Sequence, residues 1–282
     1  MDRPLVSVCL PVYNGARFLR PAVQSVLDQT YPHFELLVFD DTSSDGSWEI
    51  LREIQDPRVV LHRNAHNLGP EANWNQALFA ARGRYVKLFH QDDLLAPECL
   101  ERQVRALEEH PEAVLAFGKR RIITPDGRRL MTRGGPWPEG LVAPASVVRR
   151  CVLAGTNLIG EPSAVLFRTA LGQRIGGFDG RLPYVIDLDY WIRLLAQGPA
   201  YSLDAALTSF RLSPAQWSAA IGRHQVTQFL AFLSHLAAGP IPTPGPWALL
   251  WGRVRTRLNG RARVAVHALA VRGRSRQCRS GN

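Results

Sequence analysis

The chain has 282 residues, 46% hydrophobic and 21% charged, a globular balance that excludes a low-complexity or disordered chain and allows a full core. Its net charge of +10 is unevenly placed: no Asp or Glu follows Asp204 but eleven arginines do, so residues 1–204 hold 23 of the 34 basic residues against all 24 acidic ones. A nearly neutral body with an arginine-rich tail argues against a uniformly basic nucleic-acid binder and for a separate docking element.

Leu5 to Pro11 reads as a first strand. The apolar run is interrupted and meets Tyr13-Asn14-Gly15, so it lacks the long apolar region of a signal peptide. Phe18, Val23, Val26 and Leu27 then recur at helical spacing before Tyr31-Pro32. Phe34 to Phe39 predicts a second strand, Trp48 to Ile54 a helix, and Val59 to His62 a third strand. Asn67-Leu68-Gly69-Pro70 opens a helix to Ala81, and Tyr85 to Phe89 forms a fourth strand. Such alternation implies a parallel sheet. A helix from Pro97 to Glu109 and a strand from Ala113 to Phe117 follow, then shorter pieces with Gly/Pro-rich turns from Asp126 to Gly140. This second half predicts a mixed α+β arrangement, with a strand from Ser163 to Phe167, a turn at Gly176-Gly177-Phe178-Asp179 and a helix from Leu188 to Ala196. A further helix is expected from Pro214 to about Leu236. Pro240, Pro242, Pro244 and Pro246 then mark a linker before the basic tail, whose last residues, Arg272 to Asn282, are expected to be disordered.

Cys9, Cys99, Cys151 and Cys278 are widely spaced and form no C-x-x-C pair, which predicts free thiols in a reducing compartment. No stretch approaches the roughly 20 apolar residues of a membrane-spanning helix. The expected location is the cytoplasm, with the inner face of the cell membrane open to a peripheral protein.

Three acidic signatures each fall where a predicted strand stops, which puts each at a sheet edge: Asp40-Asp41, His90-Gln91-Asp92-Asp93 and Asp187-Leu188-Asp189. Ligands of open α/β sheets gather at the carboxyl ends of strands. Carboxylates there suit a hard divalent cation, a ribose and a proton acceptor. The dinucleotide fingerprint G-x-G-x-x-G is absent from the first strand–helix turn. Asp41 can accept from a base N–H or serve an Asx turn. Asp92 and Asp93 can hold Mg²⁺ or Mn²⁺ against phosphate oxygens, or cap the following helix. Asp187 and Asp189, two residues apart, point to opposite sides if extended, so one faces a substrate and the other caps the helix or pairs with an arginine. His62 and His66 read as solvated loop histidines, and His90 as a packed histidine beside the metal group.

These residues resemble family 2 inverting glycosyltransferases of the GT-A fold over roughly residues 5–212. The resemblance runs through Val6-Ser7-Val8-Cys9-Leu10-Pro11-Val12-Tyr13-Asn14-Gly15, Gln29-Thr30-Tyr31, Phe39-Asp40-Asp41-Thr42-Ser43-Ser44-Asp45-Gly46, Asn67-Leu68-Gly69, Asn73, Gly83 and Gln91-Asp92-Asp93. It continues through Gly160-Glu161-Pro162-Ser163, Phe167-Arg168, Gly176-Gly177-Phe178-Asp179 and Asp187-Leu188-Asp189-Tyr190-Trp191-Ile192-Arg193-Leu194. The resemblance implies an α/β GT-A domain over 1–212: a Rossmann-like nucleotide-binding half at 1–118, an acceptor half at 119–212 and a mixed sheet. A helical, arginine-rich extension occupies 213–282. By the same resemblance Asp93 is the ligand of Mn²⁺ or Mg²⁺. Pro11, Val12, Tyr13, Asn14, Asp41 and Asp92 hold the nucleoside, with Asp41 on the base. Asp187 is the catalytic base and Asp189 the alternative. The family commonly has Glu-Asp where this chain has Ile186-Asp187, which leaves Asp187 as the only acid at that step.

The implied reaction moves a sugar from a nucleoside-diphosphate-sugar to the hydroxyl of a saccharide or lipid-linked saccharide, with cell-envelope polysaccharide or glycolipid as the setting. A sugar nucleotidyltransferase shares the carboxylate-bound metal but normally has a basic, Gly-rich phosphate loop, for which Arg17 and Arg20 are poor substitutes. A catalytically silent sugar-nucleotide or membrane-binding protein is the other rival. In the tail, Trp247, Leu250, Trp251, Val254 and Leu258 recur at helical spacing while Arg253, Arg257 and Arg261 line another face. This helix can lie on an anionic membrane or pack on the catalytic domain with a solvated arginine face. Nucleic acid is not an expected partner, since arginine without a reading motif is weak evidence.

Overall fold

The computed structural model describes residues 6–213, 222–236 and 244–260. Pro214, Pro240, Pro242, Arg261, Cys278 and the 272–282 segment, singled out in the sequence, lie outside the described residues. The chain builds one ten-stranded mixed sheet. The first strands are β1 (Val6–Val12), β2 (Phe34–Asp40), β3 (Val59–Arg63) and β4 (Tyr85–Leu88). They pair in parallel, with β1 between β2 and β4 and β3 outside β2. Every residue of β1 is buried, as expected for a central strand covered on both faces, and this accounts for its unbroken apolar sequence. Helices α1 (Ala16–Leu27), α2 (Ser47–Arg52) and α3 (Pro70–Ala80) supply the crossovers. α1 buries Leu19, Ala22, Val23 and Val26, a 3- and 4-residue spacing along one face.

Beyond β4 come β5 (Leu94–Leu95), α4 (Cys99–Glu109), β6 (Leu115–Ile123), β7 (Arg129–Arg133), β8 (Gly140–Val142) and α5 (Pro144–Ala154). Then follow β9 (Val165–Arg168), α6 (Thr169–Arg174), α7 (Ile186–Leu195), β10 (Ala200–Arg211) and α8 (Gln225–Leu236), with a final helix, α9, over 246–260. The sheet order is β3-β2-β1-β4-β9-β6-β10-β5, with β7 on β6 and β8 on β10. β9 runs antiparallel to both β4 and β6, so it joins a parallel half to a mixed one. Sequence reading misses β10, α5 and α6. The twelve residues of β10 are rich in Ala and Ser and carry register shifts between Leu203 and Thr208, which blurs a two-residue alternation. Asp187 and Asp189 lie inside the first turn of α7, which follows a short 3-10 turn at Pro183–Val185, and not where a strand stops at the sheet edge as expected.

Two apolar clusters flank the sheet. One includes Leu10, Leu19, Val23, Leu36 and Leu100, and the other Leu88, Phe117, Phe167, Leu188 and Trp191. Phe229, Phe232, Leu233 and Leu236 of α8 belong to the second cluster, so α8 is built into the same core as α7. No helix among the described residues is long and apolar enough to cross a membrane.

Candidate active site

The parallel strands β1, β2, β3 and β4 deliver their carboxyl-end loops to one edge of the sheet, as the fold rule requires of a ligand site. The loops after β1 and β2 are braced against each other. The Asn14 amide donates to Ser43 Oγ, the Gly15 amide to Ser47 Oγ and the Ala16 amide to Asp45 Oδ2, each at 2.9 Å. Asn14 Oδ1 accepts from the Ser44 amide at 2.9 Å. Burial works against the Asp45 carboxylate, but bonds from Ser47 and from the Ala16 amide outweigh it and hold its pKa below the usual range. Both loops contain strained backbone, with Asn14 at φ 48° and Thr42 at φ 63°; for a β-branched residue the latter is an outlier.

A second brace joins the first loop to the loop after β4. Gln91 accepts from the Tyr13 amide and donates to the Tyr13 carbonyl, both at 2.9 Å. A Cβ on Gly15 would fall 2.3 Å from Gln91 Oε1, so a side chain there would push the Gln91 carboxamide off the Tyr13 backbone. The Tyr13 ring stays 52% exposed at the rim, while Pro11 and Val12 are buried.

Asp41 is buried and its carboxylate accepts three bonds: from Asn64 Nδ2 at 2.8 Å, the Leu68 amide at 2.8 Å and the Gly69 amide at 2.9 Å. Asn64 also donates to Asn73, which donates to the Phe39 carbonyl. Asp41, the expected base contact, thereby holds the 67–69 loop. Asp40 pairs with Arg63 at 3.3 Å through Oδ2, and its buried Oδ1 has no hydrogen-bond partner among the described residues.

Asp93, expected as the metal ligand, is buried in the loop after β4. It is 1% exposed, with one carboxylate oxygen accepting from Ser163 Oγ at 2.6 Å and the other from the Arg211 amide at 3.2 Å. Burial, then the neighbouring Asp92 charge, pushes its carboxyl well above the usual range. Its carboxylate thus ties the loop after β4 to the turn before β9 and to β10. Asp92 is half-buried at the same loop. Its charge also acts on His90, whose imidazole is held below its ordinary pKa by burial, with Asp92 and Glu161 opposing. His90 packs on Trp74 at 4.9 Å, and its buried Nε2 has no partner among the described residues.

Asp187 lies in the acceptor half, half-buried in the first turn of α7. Asn157 Nδ2 donates to its Oδ2 at 3.0 Å and the Leu188 amide to its Oδ1 at 2.6 Å. Burial first, and the Glu161 charge second, pushes its pKa up to about 7, with the Leu188 and Asn157 bonds only partly offsetting them. Glu161 pairs with buried Arg120. Burial alone would raise the Glu161 carboxyl, but Arg120 outweighs it and keeps it below the usual range. Asp189 instead pairs with Arg193 at 2.8 Å, and Arg193 donates to the Ile175 and Gly177 carbonyls. The two acids thus divide between a carboxylate held by Asn157 and the Leu188 amide and an ion pair within α7.

Sequence reading misses Asn157, Arg120 and Ser47, and it names Gln91, Ser43 and Glu161 within motifs without foreseeing their contacts. Arg120 stands between Lys119 and Arg121 in β6, and its burial, not the sequence, sets it apart. Ser43 and Ser47 carry no signal beyond turn composition.

The family model for glycosyl transferase family 2 matches residues 7–159. The uncharacterised protein MT1568 of Mycobacterium tuberculosis is 36% identical over 201 residues, 68% of this chain and 62% of that protein, so the chain spans less than two thirds of its length. The putative teichuronic acid biosynthesis glycosyltransferase TuaG of Bacillus subtilis is 31% identical over 229 residues, 77% of this chain and 85% of that protein. Among solved structures, S. aureus TarS 1-349 with UDP-GlcNAc superposes with a TM-score of 0.67 at 19% identity, covering 84% of this chain and 68% of that one. The mannosyltransferase PcManGT from Pyrobaculum calidifontis, with GDP-Man and Mn²⁺, gives 0.62 at 18% identity, covering 96% and 81%. The GT-A architecture expected from the sequence is therefore the observed fold.

Proposed function

From the premise that the chain belongs to glycosyl transferase family 2 and is a glycosyltransferase, we propose that it transfers one sugar from a nucleoside-diphosphate-sugar to an acceptor hydroxyl with inversion at the anomeric carbon. Asp187 carries this reading. A general base works best with a pKa near the operating pH, and Asp187, at about 7, is the carboxyl of the site that meets this condition. Asn157 orients its carboxylate, and the Arg120–Glu161 pair sets its charge environment. The acceptor proton passes to Asp187 as the acceptor oxygen attacks the anomeric carbon and the nucleoside diphosphate departs from the opposite face.

On the donor side, the Tyr13 ring offers a stacking face for the base, with Pro11 and Val12 shaping the strand end beneath it and Asn14 setting the adjoining turn. Asp41 supports the base by holding the 67–69 loop. The amides of residues 14–16 are already committed to Ser43, Ser47 and Asp45, so the first helix turn is no phosphate cradle. That weighs against the nucleotidyltransferase alternative.

Mn²⁺ or Mg²⁺ fits the donor set here. Such ions are commonly held by one or two carboxylates plus substrate phosphate oxygens rather than by a protein cage, and Asp92 is the part-exposed carboxylate at the end of β4. We therefore assign the metal contact to Asp92 and give Asp93 a structural role. When bound, the ion neutralises negative charge on the leaving diphosphate.

TuaG's assignment to teichuronic acid supports a cell-envelope saccharide, free or lipid-linked, as acceptor. The reading places the enzyme in the cytoplasm at the inner membrane face, with residues 1–212 as the catalytic domain and 213–282 as its extension. The test is incubation with UDP-, GDP- and dTDP-sugars and Mn²⁺ or Mg²⁺, reading nucleoside diphosphate release and the anomeric configuration of the product by NMR. Inverted product from one donor, abolished by Asp187→Asn, is expected; a retained configuration would overturn the mechanism.

A further inference from the structure

The last described helix has two faces with different occupations. Its inner face is made of small and polar residues set on the end of α5. A Cβ on Gly252 would stand 2.7 Å from the Val152 carbonyl oxygen, and one on Gly155 would stand 2.7 Å from the Thr256 amide nitrogen, so helix and turn meet backbone to backbone. Thr256 is fully buried, and Asn259 Nδ2 donates to the carbonyls of Ala154 at 2.8 Å and Gly155 at 3.2 Å. Leu249 packs against the core cluster.

The outer face is the apolar one. Trp247 is 82% exposed, and Leu250, Trp251, Val254 and Leu258 are exposed beside it. Arg253, Arg255 and Arg257 are exposed along the same helix, and no acidic residue follows Asp204 anywhere in the chain. A helix with its inner face docked on a core ordinarily turns polar side chains to water. Two tryptophans and three aliphatic residues flanked only by cations instead match the interface of an anionic bilayer, where indoles sit at headgroup depth and guanidinium groups meet lipid phosphates. At about 1.5 Å per residue, the described part of this helix, residues 246–260, extends ~22 Å, shorter than the hydrocarbon core of a bilayer.

We propose that the outer face of α9 docks the enzyme on an anionic lipid surface and holds the acceptor side of the site next to it. The connection is short: α9 grips Ala154 and Gly155, and Asn157, two residues on, donates to Asp187. Docked this way, the enzyme receives an acceptor whose lipid anchor stays in the bilayer. This acceptor class rests on the transferase reading above, whereas lipid binding does not.

Co-sedimentation of the full chain with vesicles tests the docking without any turnover. Vesicles of phosphatidylcholine with an equal part of phosphatidylglycerol should pellet the protein, and phosphatidylcholine alone should not. Trp247→Ser/Trp251→Ser should lower the partition coefficient at least about tenfold, and Arg253→Gln/Arg257→Gln should lower it about fivefold per arginine at low salt. Unchanged thermal melting would show that these exposed substitutions leave the fold intact; if the double tryptophan variant melts early, the arginine variant alone decides. Absence of pelleting with anionic vesicles, equal pelleting with both lipids, or variants that pellet like the wild type would overturn the proposal. So would light scattering that shows a dimer lost in the tryptophan variant with vesicle binding unchanged, since the face would then belong to a second copy of the chain.

Discussion

Asp41 and Asp45 on one rim of the site and Asp187 on the other are held in opposite ways. On the nucleotide side, Asp41 accepts three donors and Asp45 is held below its usual pKa by hydrogen bonds. On the acceptor side, Asp187 receives two bonds, stands near the charge of Glu161 and is pushed up to about 7. The first rim spends its acids on geometry, which fixes loops before a ligand arrives. The second keeps one acid poorly stabilised as an anion, and such an anion readily takes a proton.

Asp187→Asn should separate the rims most sharply. The amide preserves shape but cannot accept a proton, so transfer should fall about a thousandfold. Donor affinity, measured by calorimetry with a nucleotide-sugar, should stay within about twofold. Comparable losses in both would mean that the acceptor rim also builds the donor site, and the contrast would fail.

Next in size is the pair Asp92→Ala and Asp93→Ala. Asp92→Ala should weaken Mn²⁺-dependent donor binding by at least about tenfold with little change in melting temperature. Asp93→Ala removes the acceptor for Ser163 Oγ and the Arg211 amide inside the core, and should cost about 2–3 kcal/mol in urea unfolding. The reverse pattern would return the metal to Asp93. Asp41→Ala belongs with Asp93, since it strands the Leu68 and Gly69 amides and Asn64. About 2 kcal/mol of stability should go with it, and if nucleotide affinity falls while stability is unchanged, Asp41 touches the base after all.

The parallel half of the fold is legible because its strands are buried on both faces and read as continuous apolar runs, with Gly and Pro marking the turns. β10 is not legible, because its partner strands, and not its Ala- and Ser-rich sequence, make it a strand. The acids of the site are visible as residue types at strand and helix ends. Their roles depend on side chains far away in sequence: Asp93 is closed off by Ser163 and Arg211, separated from it by 70 and 118 positions. Spacing alone therefore leaves Asp92 and Asp93 equivalent, and only burial distinguishes them. The same holds for the tail, where periodicity finds the apolar stripe but cannot show that Gly252, Thr256 and Asn259 already occupy the inner face.

The smallest expected effect concerns the origin of the acceptor rim's raised pKa. Because Asp187 must be ionised to accept a proton, kcat/KM should rise with pH to a plateau above an acid limb near 7. Glu161→Gln removes the second contributor to that shift and leaves Arg120 without its carboxylate, and both changes favour ionised Asp187. The limb should therefore move to lower pH, with the plateau largely kept. Stability should follow with a definite sign. With a folded pKa near 7 and an unfolded value near 3.8, the wild type binds more protons folded than unfolded between these values, so this group's contribution is present below the unfolded value and lost as pH rises through 7. Asp187→Asn cannot lose it, so the melting temperature of that variant, relative to wild type, should be higher at pH 8 than at pH 4. A limb that does not move in Glu161→Gln would leave burial as the sole source of the shift; the buried Arg120–Glu161 pair would then be a brace, like the carboxylates of the opposite rim.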